Sequence, residues 1–147
     1  MRAAVGQPLE LFDGEGRLAL GMIVSIDKRQ TVVHVESPRL TPDHRLPVTL
    51  GLCLIKSDRF DWALQKATEL GVTAITPVIS RYTDSPPKAD RLEKKYQHWQ
   101  EILVNACEQS ENNWLPNLHP VTPLAALDLS AQQAVFAHPA SETVPID

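Results

Sequence analysis

Apolar and polar positions alternate along the first third of the chain and then fall into helical spacing, and that change of rhythm divides the sequence. Residues 9–12, 18–26 and 31–35 read as short strands, separated by Asp13-Gly14-Glu15-Gly16 and by Asp27-Lys28-Arg29-Gln30. Glycine and aspartate suit these turns because they tolerate the backbone conformations that tight hairpins need. A three-stranded meander exposes a face and two edges, so it is expected to close with further strands or to pack on another element. It reads as incomplete at its N-terminal side. Between residues 36 and 47 the composition turns to proline, with Pro38, Pro42 and Pro47. Proline fits neither a central strand nor a helix interior, which predicts a linker. The chain is thereby divided into parts 1–45 and 46–147.

Past the linker the pattern is strand, helix, strand. Residues 48–55 put Leu50, Leu52 and Leu54 on one face and Cys53 and Ile55 on the other, as in a parallel strand covered on both sides. Phe60, Ala63, Leu64, Ala67 and Leu70 recur at helical spacing, with Ser57 or Asp58 placed to cap the start and Gly71 to follow the end. Residues 72–79 read as a second strand, making 48–79 a β-α-β unit. A longer helix is predicted over 91–109, with Leu92, Tyr96, Trp99, Leu103 and Ala106 as its buried stripe and Asp90 with Glu93 as a capping box. A proline-bearing stretch over 115–123, a short helical turn near 124–127 and a third strand over 134–137 complete the reading. The strands 48–55, 72–79 and 134–137 are expected side by side and parallel in one sheet.

Composition adds limits. With 43% apolar and 22% charged residues the 147-residue chain is globular, long enough for one domain or for a small module joined to part of a larger one. The net charge of −4 argues against capture of nucleic acid by overall attraction, so any RNA contact has to come from a local basic patch. Cys53 and Cys107 lie far apart without histidines at ligand spacing. Neither a metal site nor a disulfide is suggested, and both are expected as buried, reduced thiols. No apolar run approaches a membrane span and Met1-Arg2 opens no signal-peptide core, which points to a cytoplasmic protein without a membrane partner.

The segment Gln65-Lys66-Ala67-Thr68-Glu69-Leu70-Gly71-Val72, following Lys56-Ser57-Asp58-Arg59, resembles the most recognisable helix of the RsmE family of RNA methyltransferases. Ile75-Thr76-Pro77-Val78 resembles that family's second strand, and Lys94-Lys95 through Trp99 its basic-aromatic helix. Ala106-Cys107-Glu108-Gln109-Ser110 with Leu115-Pro116 is similar to its next signature, and Phe136-Ala137-His138-Pro139 to its strand-end His-Pro. Leu11-Phe12-Asp13-Gly14 resembles its PUA-like barrel. The likeness is collinear over most of the chain. It implies an α/β protein in which an incomplete PUA-like β-barrel, docking RNA, precedes the first half of a SPOUT (trefoil-knot) parallel-sheet methyltransferase domain. The implied activity is S-adenosylmethionine-dependent methylation of N3 of a uridine in 16S ribosomal RNA, with small-subunit RNA as partner and a homodimer as the usual assembly. The family's glycine-rich loop and later Arg-Glu-Thr segment would follow Asp147. The chain is therefore expected to be truncated at its C-terminus and at its N-terminus, and to lack the donor site by itself. The alternative is a non-enzymatic RNA-binding or interaction fragment of a degenerate methyltransferase. Where the family usually carries Gly-Arg after Glu-Gln-Ser, this chain has Glu111 and Asn112, and where it carries Ser-Glu-Arg after the second strand, this chain has Ser80-Arg81-Tyr82.

Open parallel sheets bind ligands beyond the carboxyl ends of their strands, and Lys56, Ser80 and His138 follow three predicted ends. The resemblance makes His138 and Pro139 the candidate donor-binding residues. Arg81, Arg91, Lys94 and Lys95 are the candidate RNA-binding residues, against the plainer reading of a solvated helix face. Lys66 and Glu69 read as a solvated local pair, and Trp62, Trp99 and Trp114 as packing residues rather than base-stacking platforms. No Ser-His-Asp or paired-carboxylate arrangement stands out, so no catalytic residue is assigned.

Overall fold

The structure, a computed structural model, describes residues 3–83, 86–129, 133–135 and 137. It is an α/β arrangement of two four-stranded sheets, the first antiparallel and the second parallel. Strands β1 (Pro8–Phe12), β2 (Arg17–Ile26) and β3 (Thr31–Val35) form the expected meander. The stretch read as linker is not all linker, because β4 (Arg39–Leu40) pairs with the start of β2. The ten-residue β2 outruns the five-residue β3, and the returning chain satisfies backbone groups that β3 does not reach. Thr41 completes the return, its N–H and its Oγ1 hydroxyl each donating to Gly16 O over 2.8 Å. Along β2, Ala19 and Ile23 are buried while Leu20, Met22 and Val24 stand about half exposed on the opposite face.

In the second sheet β5 (Thr49–Cys53) and β6 (Ala74–Ile79) pair in parallel around helix α1 (Ser57–Glu69), as the β-α-β pattern predicted. Helix α2 (Ala89–Ser110) follows. The free side of β6 is taken by β7 (Asn117–Leu118) and β8 (Thr122–Pro123), from the proline-bearing stretch, and not by the strand expected over 134–137. Asn117 and His119 donate to Thr73 O and Ile75 O, and Pro120 and Pro123 are tolerated because this is the sheet edge among the described residues. Ala134, Val135 and Ala137 lie in no strand, and Phe136 lies outside the described residues. A short helical turn occupies Leu124–Ala126 as expected.

One core holds this half together: Phe60, Leu64 and Ala67 of α1, Ile75 of β6, and Trp99 and Leu103 of α2. Phe60 and Trp99 have ring centroids 5.0 Å apart, a tilted contact that adds to area burial. Three expectations fail here. Leu70 is 86% exposed because α1 ends at Glu69 and the helical spacing stops projecting onto the core. Trp62 is 63% exposed on the outer side of α1. Cys53 is exposed because β5 presents Leu50 and Leu52 to the core and leaves its other face open, whereas Cys107 is buried, its thiol pushed up by desolvation. The predicted caps are also absent. The N-cap positions are Lys56 and Lys88, without side-chain cap hydrogen bonds, so Ser57 and Asp90 already lie inside their helices. No helix of the described residues is long and apolar enough to cross a membrane.

The two sheets meet at Trp114. Glu15 and Trp114 form an antiparallel bridge, flanked by Gly16 N–H to Asn113 O (3.0 Å) and Leu115 N–H to Gly14 O (2.8 Å). A Cβ placed on Gly16 would lie 2.3 Å from the indole of Trp114, and the backbone there has φ +87°. Arg45 braces the joint, donating to Trp114 O (2.9 Å) and pairing with Asp43 (2.9 Å). Hydrogen bonds from the Arg45 side chain and backbone hold the Asp43 carboxyl well below its ordinary range, at about 2.

Gly6, with φ +83° and open space around its Cα, separates backbone strain from contact at Gly16. Gly6→Ala is expected to cost about 1–2 kcal/mol in chemical unfolding, and Gly16→Ala at least about 1 kcal/mol more, because only the second meets an indole. Equal losses would show that the Gly16 contact is not tight. At the end of α2, Glu111 is left-handed at φ 54°, a conformation that favours glycine. Glu111→Gly is expected to raise the unfolding free energy by about 0.5–1 kcal/mol, read from the denaturation midpoint.

Candidate functional site

At the carboxyl end of β5 and β6 the chain leaves a cavity of about 660 Å³. Its floor is Leu54 and Ile55, just past β5, and Pro86 and Pro87 stiffen one rim. Lys56 and Arg59 enter from the start of α1, and Lys88, Arg91 and Lys95 from α2. The two helices open with one pattern, Lys56-Ser57-Asp58-Arg59 and Lys88-Ala89-Asp90-Arg91, whose lysine is the N-cap and whose arginine closes the first turn. Cations there face the positive ends of the helix dipoles as well as one another. Among the described residues no carboxylate lines the cavity. Arg17, Arg45, Lys66 and His98 all have acidic partners, but Lys56, Arg59, Lys88 and Arg91 have none among the described residues.

The turn after β6 forms the remaining wall. Thr83 N–H donates to Ser80 O (3.1 Å), Ser80 N–H to Thr83 Oγ1 (3.1 Å) and Tyr82 N–H to Ser80 Oγ (3.2 Å). Tyr82 lines the cavity yet is 76% exposed, and the Arg81 guanidinium lies 4.8 Å from its ring centroid.

Of the predicted RNA-binding residues, Arg91 and Lys95 line the cavity, Arg81 flanks it through Tyr82, and Lys94 is not among its lining residues. Lys95 Nζ also sits 5.7 Å from the centre of the Trp99 ring. His138 and Pro139 lie outside the described residues. Sequence reasoning missed Arg59 and Lys88 as members of this set, although the repeated Lys-x-Asp-Arg at two predicted helix starts was a usable signal. Lys66 pairs with Glu69 (2.7 Å) as expected, and His98 with Asp61 (2.7 Å) ties α2 to α1. Tyr96 anchors the turn before β8, donating to His119 O (3.2 Å) and accepting from Val121 N–H, and burial raises its phenol.

A parallel α/β sheet with a cationic concavity at its carboxyl end, set against an antiparallel sheet, defines the class of protein: an α/β protein whose concavity lies where open parallel sheets bind ligands. Residues 42–146 match the family described as the RNA methyltransferase domain. Ribosomal RNA small subunit methyltransferase E of Buchnera aphidicola is 29% identical over 118 residues, covering 75% of this chain and 45% of that protein. The crystal structure of a ribosomal RNA small subunit methyltransferase E from Neisseria gonorrhoeae, bound to S-adenosyl methionine, superposes with a TM-score of 0.75. It shares 34% identity over 82% of this chain and 50% of its own. A methyltransferase from Legionella pneumophila with bound S-adenosylmethionine superposes with a TM-score of 0.85 at 28% identity, over 96% of this chain and 60% of its own. The chain belongs to the RNA methyltransferase family and, within it, to the RsmE family. It spans about half the length of these relatives.

The unpaired cations make a stability prediction. Lys88→Gln removes a charge that faces like charges and a helix N-terminus, so it is expected to stabilise the fold by a few tenths of a kcal/mol, roughly, at low salt. The gain should vanish in high salt, where exposed charges are screened. Thermal melts at two ionic strengths read it, and a destabilised variant would mean that Lys88 is paired.

Proposed function

We propose that this chain is part of an enzyme that methylates N3 of a uridine in 16S ribosomal RNA, with S-adenosylmethionine as donor. In this reading residues 1–45 dock RNA and residues 46–147 form part of a knotted SPOUT methyltransferase domain. The observation that carries it is the match of residues 42–146 to the RNA methyltransferase domain, supported by the donor bound in the Neisseria and Legionella relatives.

When bound, S-adenosylmethionine supplies an electrophilic methyl group on a sulfonium. The described cavity does not fit that donor, since sulfonium and ammonium are cationic and five cations already converge there. We assign the cavity to RNA and the donor contacts to His138 and Pro139. Arg81, Arg91, Lys94 and Lys95 are assigned to RNA phosphates, which favour arginine's fork and lysine's point charge. The N3 proton has to be accepted as the methyl group arrives, and no described residue is assigned that role. A homodimer working in the cytoplasm belongs to the same proposal. The exposed Trp62 and Leu70, and the edge of β5 that no other described strand pairs, are surfaces that a second copy would cover.

The test uses the protein expressed from its own gene, small ribosomal subunits and methyl-labelled donor. Label is expected on N3 of one uridine, read as a block to reverse transcription. Label on ribose or another base, or no label, overturns the assignment, and RNA binding without label favours the non-enzymatic reading.

A further inference from the structure

The cavity at the carboxyl end of the parallel sheet combines two properties that the fold alone does not require. Two helix starts carry Lys and Arg at matching positions, and all four converge on one concavity where no described acid offsets them. Like charges placed together and against two helix dipoles are unfavourable in the free protein. In a chain with a net charge of −4, an anion entering the cavity relieves this repulsion. The second property is an aromatic ring at the mouth. Tyr82 is 76% exposed, with the Arg81 guanidinium 4.8 Å from its ring centroid, so much of this residue is accessible to a ligand.

We propose that this cavity is a subsite for a single-stranded stretch of RNA, with backbone phosphates held by Lys56, Arg59, Lys88 and Arg91 and a neighbouring unpaired base stacked on Tyr82. The volume, about 660 Å³, exceeds what one phosphate needs and suits a nucleotide-sized group. Guanidinium and ammonium groups bracket phosphate oxygens from two sides, and the free N–H groups of two helix starts add donors aimed at negative charge. A stacked base has to leave its own duplex, which is why the ring selects single strands. The proposal rests on the RNA reading above and names the part of the chain that grips the strand.

The experiment is fluorescence anisotropy of a short unpaired RNA oligonucleotide, and of the same sequence in duplex, with the full chain at several salt concentrations. Single strands are expected to bind more tightly than duplex. Lys56→Glu and Lys88→Glu should each weaken binding by about tenfold or more, and each should lower the slope of affinity against salt by about one. Tyr82→Ala should weaken single-strand binding by about tenfold with the slope unchanged, and Tyr82→Phe should restore it. All these side chains are exposed, so circular dichroism should show an unchanged fold. If the cavity variants bind like the parent while Lys94→Glu loses affinity, the subsite is wrong and the RNA reading stands. If the parent binds no RNA, both fall. Equal affinity for duplex, or an unaffected Tyr82→Ala variant, overturns the single-strand preference.

Discussion

The antiparallel and parallel sheets are joined where the indole of Trp114 lies on Gly16, closer than a side chain at that position would permit. The contact is short-range and demanding. It needs a glycine at positive φ, an extended 113–115 segment to bridge Glu15, and Arg45 to bind the Trp114 carbonyl. Among the described residues the buried Trp114 indole N–H has no acceptor, an unfavourable term that the packing and backbone hydrogen bonds of the joint have to outweigh. The same segment runs on into β7, so the strand that closes the parallel sheet and the residue that fixes the first sheet are a single stretch of chain.

The second constraint is electrostatic and follows from the first half of the parallel domain. In a β-α-β unit each helix begins just beyond the carboxyl end of a strand, so residues at helix starts gather on one rim of the sheet. Here the shared core of α1 and α2 holds the two starts together. Packing energy thus opposes the repulsion among Lys56, Arg59, Lys88 and Arg91. On the proposal made above, a scaffold that keeps these like charges close is organised for a polyanion before it binds, which limits the rearrangement that binding requires. Arg81 and Tyr82, which follow β6, fall on the same rim.

Much of this architecture was legible in the sequence. Period-two alternation located β1 to β3, and helical spacing found α1 and α2 with most of their buried stripes, because both signals are written within a few residues of each other. Boundaries shifted where a local rule met a distant partner. Val48 and Val72 fall outside their strands, and Arg39–Leu40 joined the first sheet because β2 needed a partner there. The collinear motifs pointed to the RsmE family of RNA methyltransferases, and the match over 42–146 established the RNA methyltransferase family.

Arg91 and Lys95 were visible as a basic stripe, but nothing local distinguished them from a solvated face, nor tied them to Lys56 and Arg59 more than thirty positions earlier. By itself the sequence determined the element types, the buried stripes and the family, since each depends on residue type and short-range spacing. Only the tertiary structure decided that a proline-bearing segment pairs beside β6 in the parallel sheet, that Trp114 rests on Gly16, and that two Lys-x-Asp-Arg helix starts share one cavity. The physical reason is that these outcomes depend on which residues far apart in the chain are brought into van der Waals or Coulombic range, and no local pattern encodes that distance.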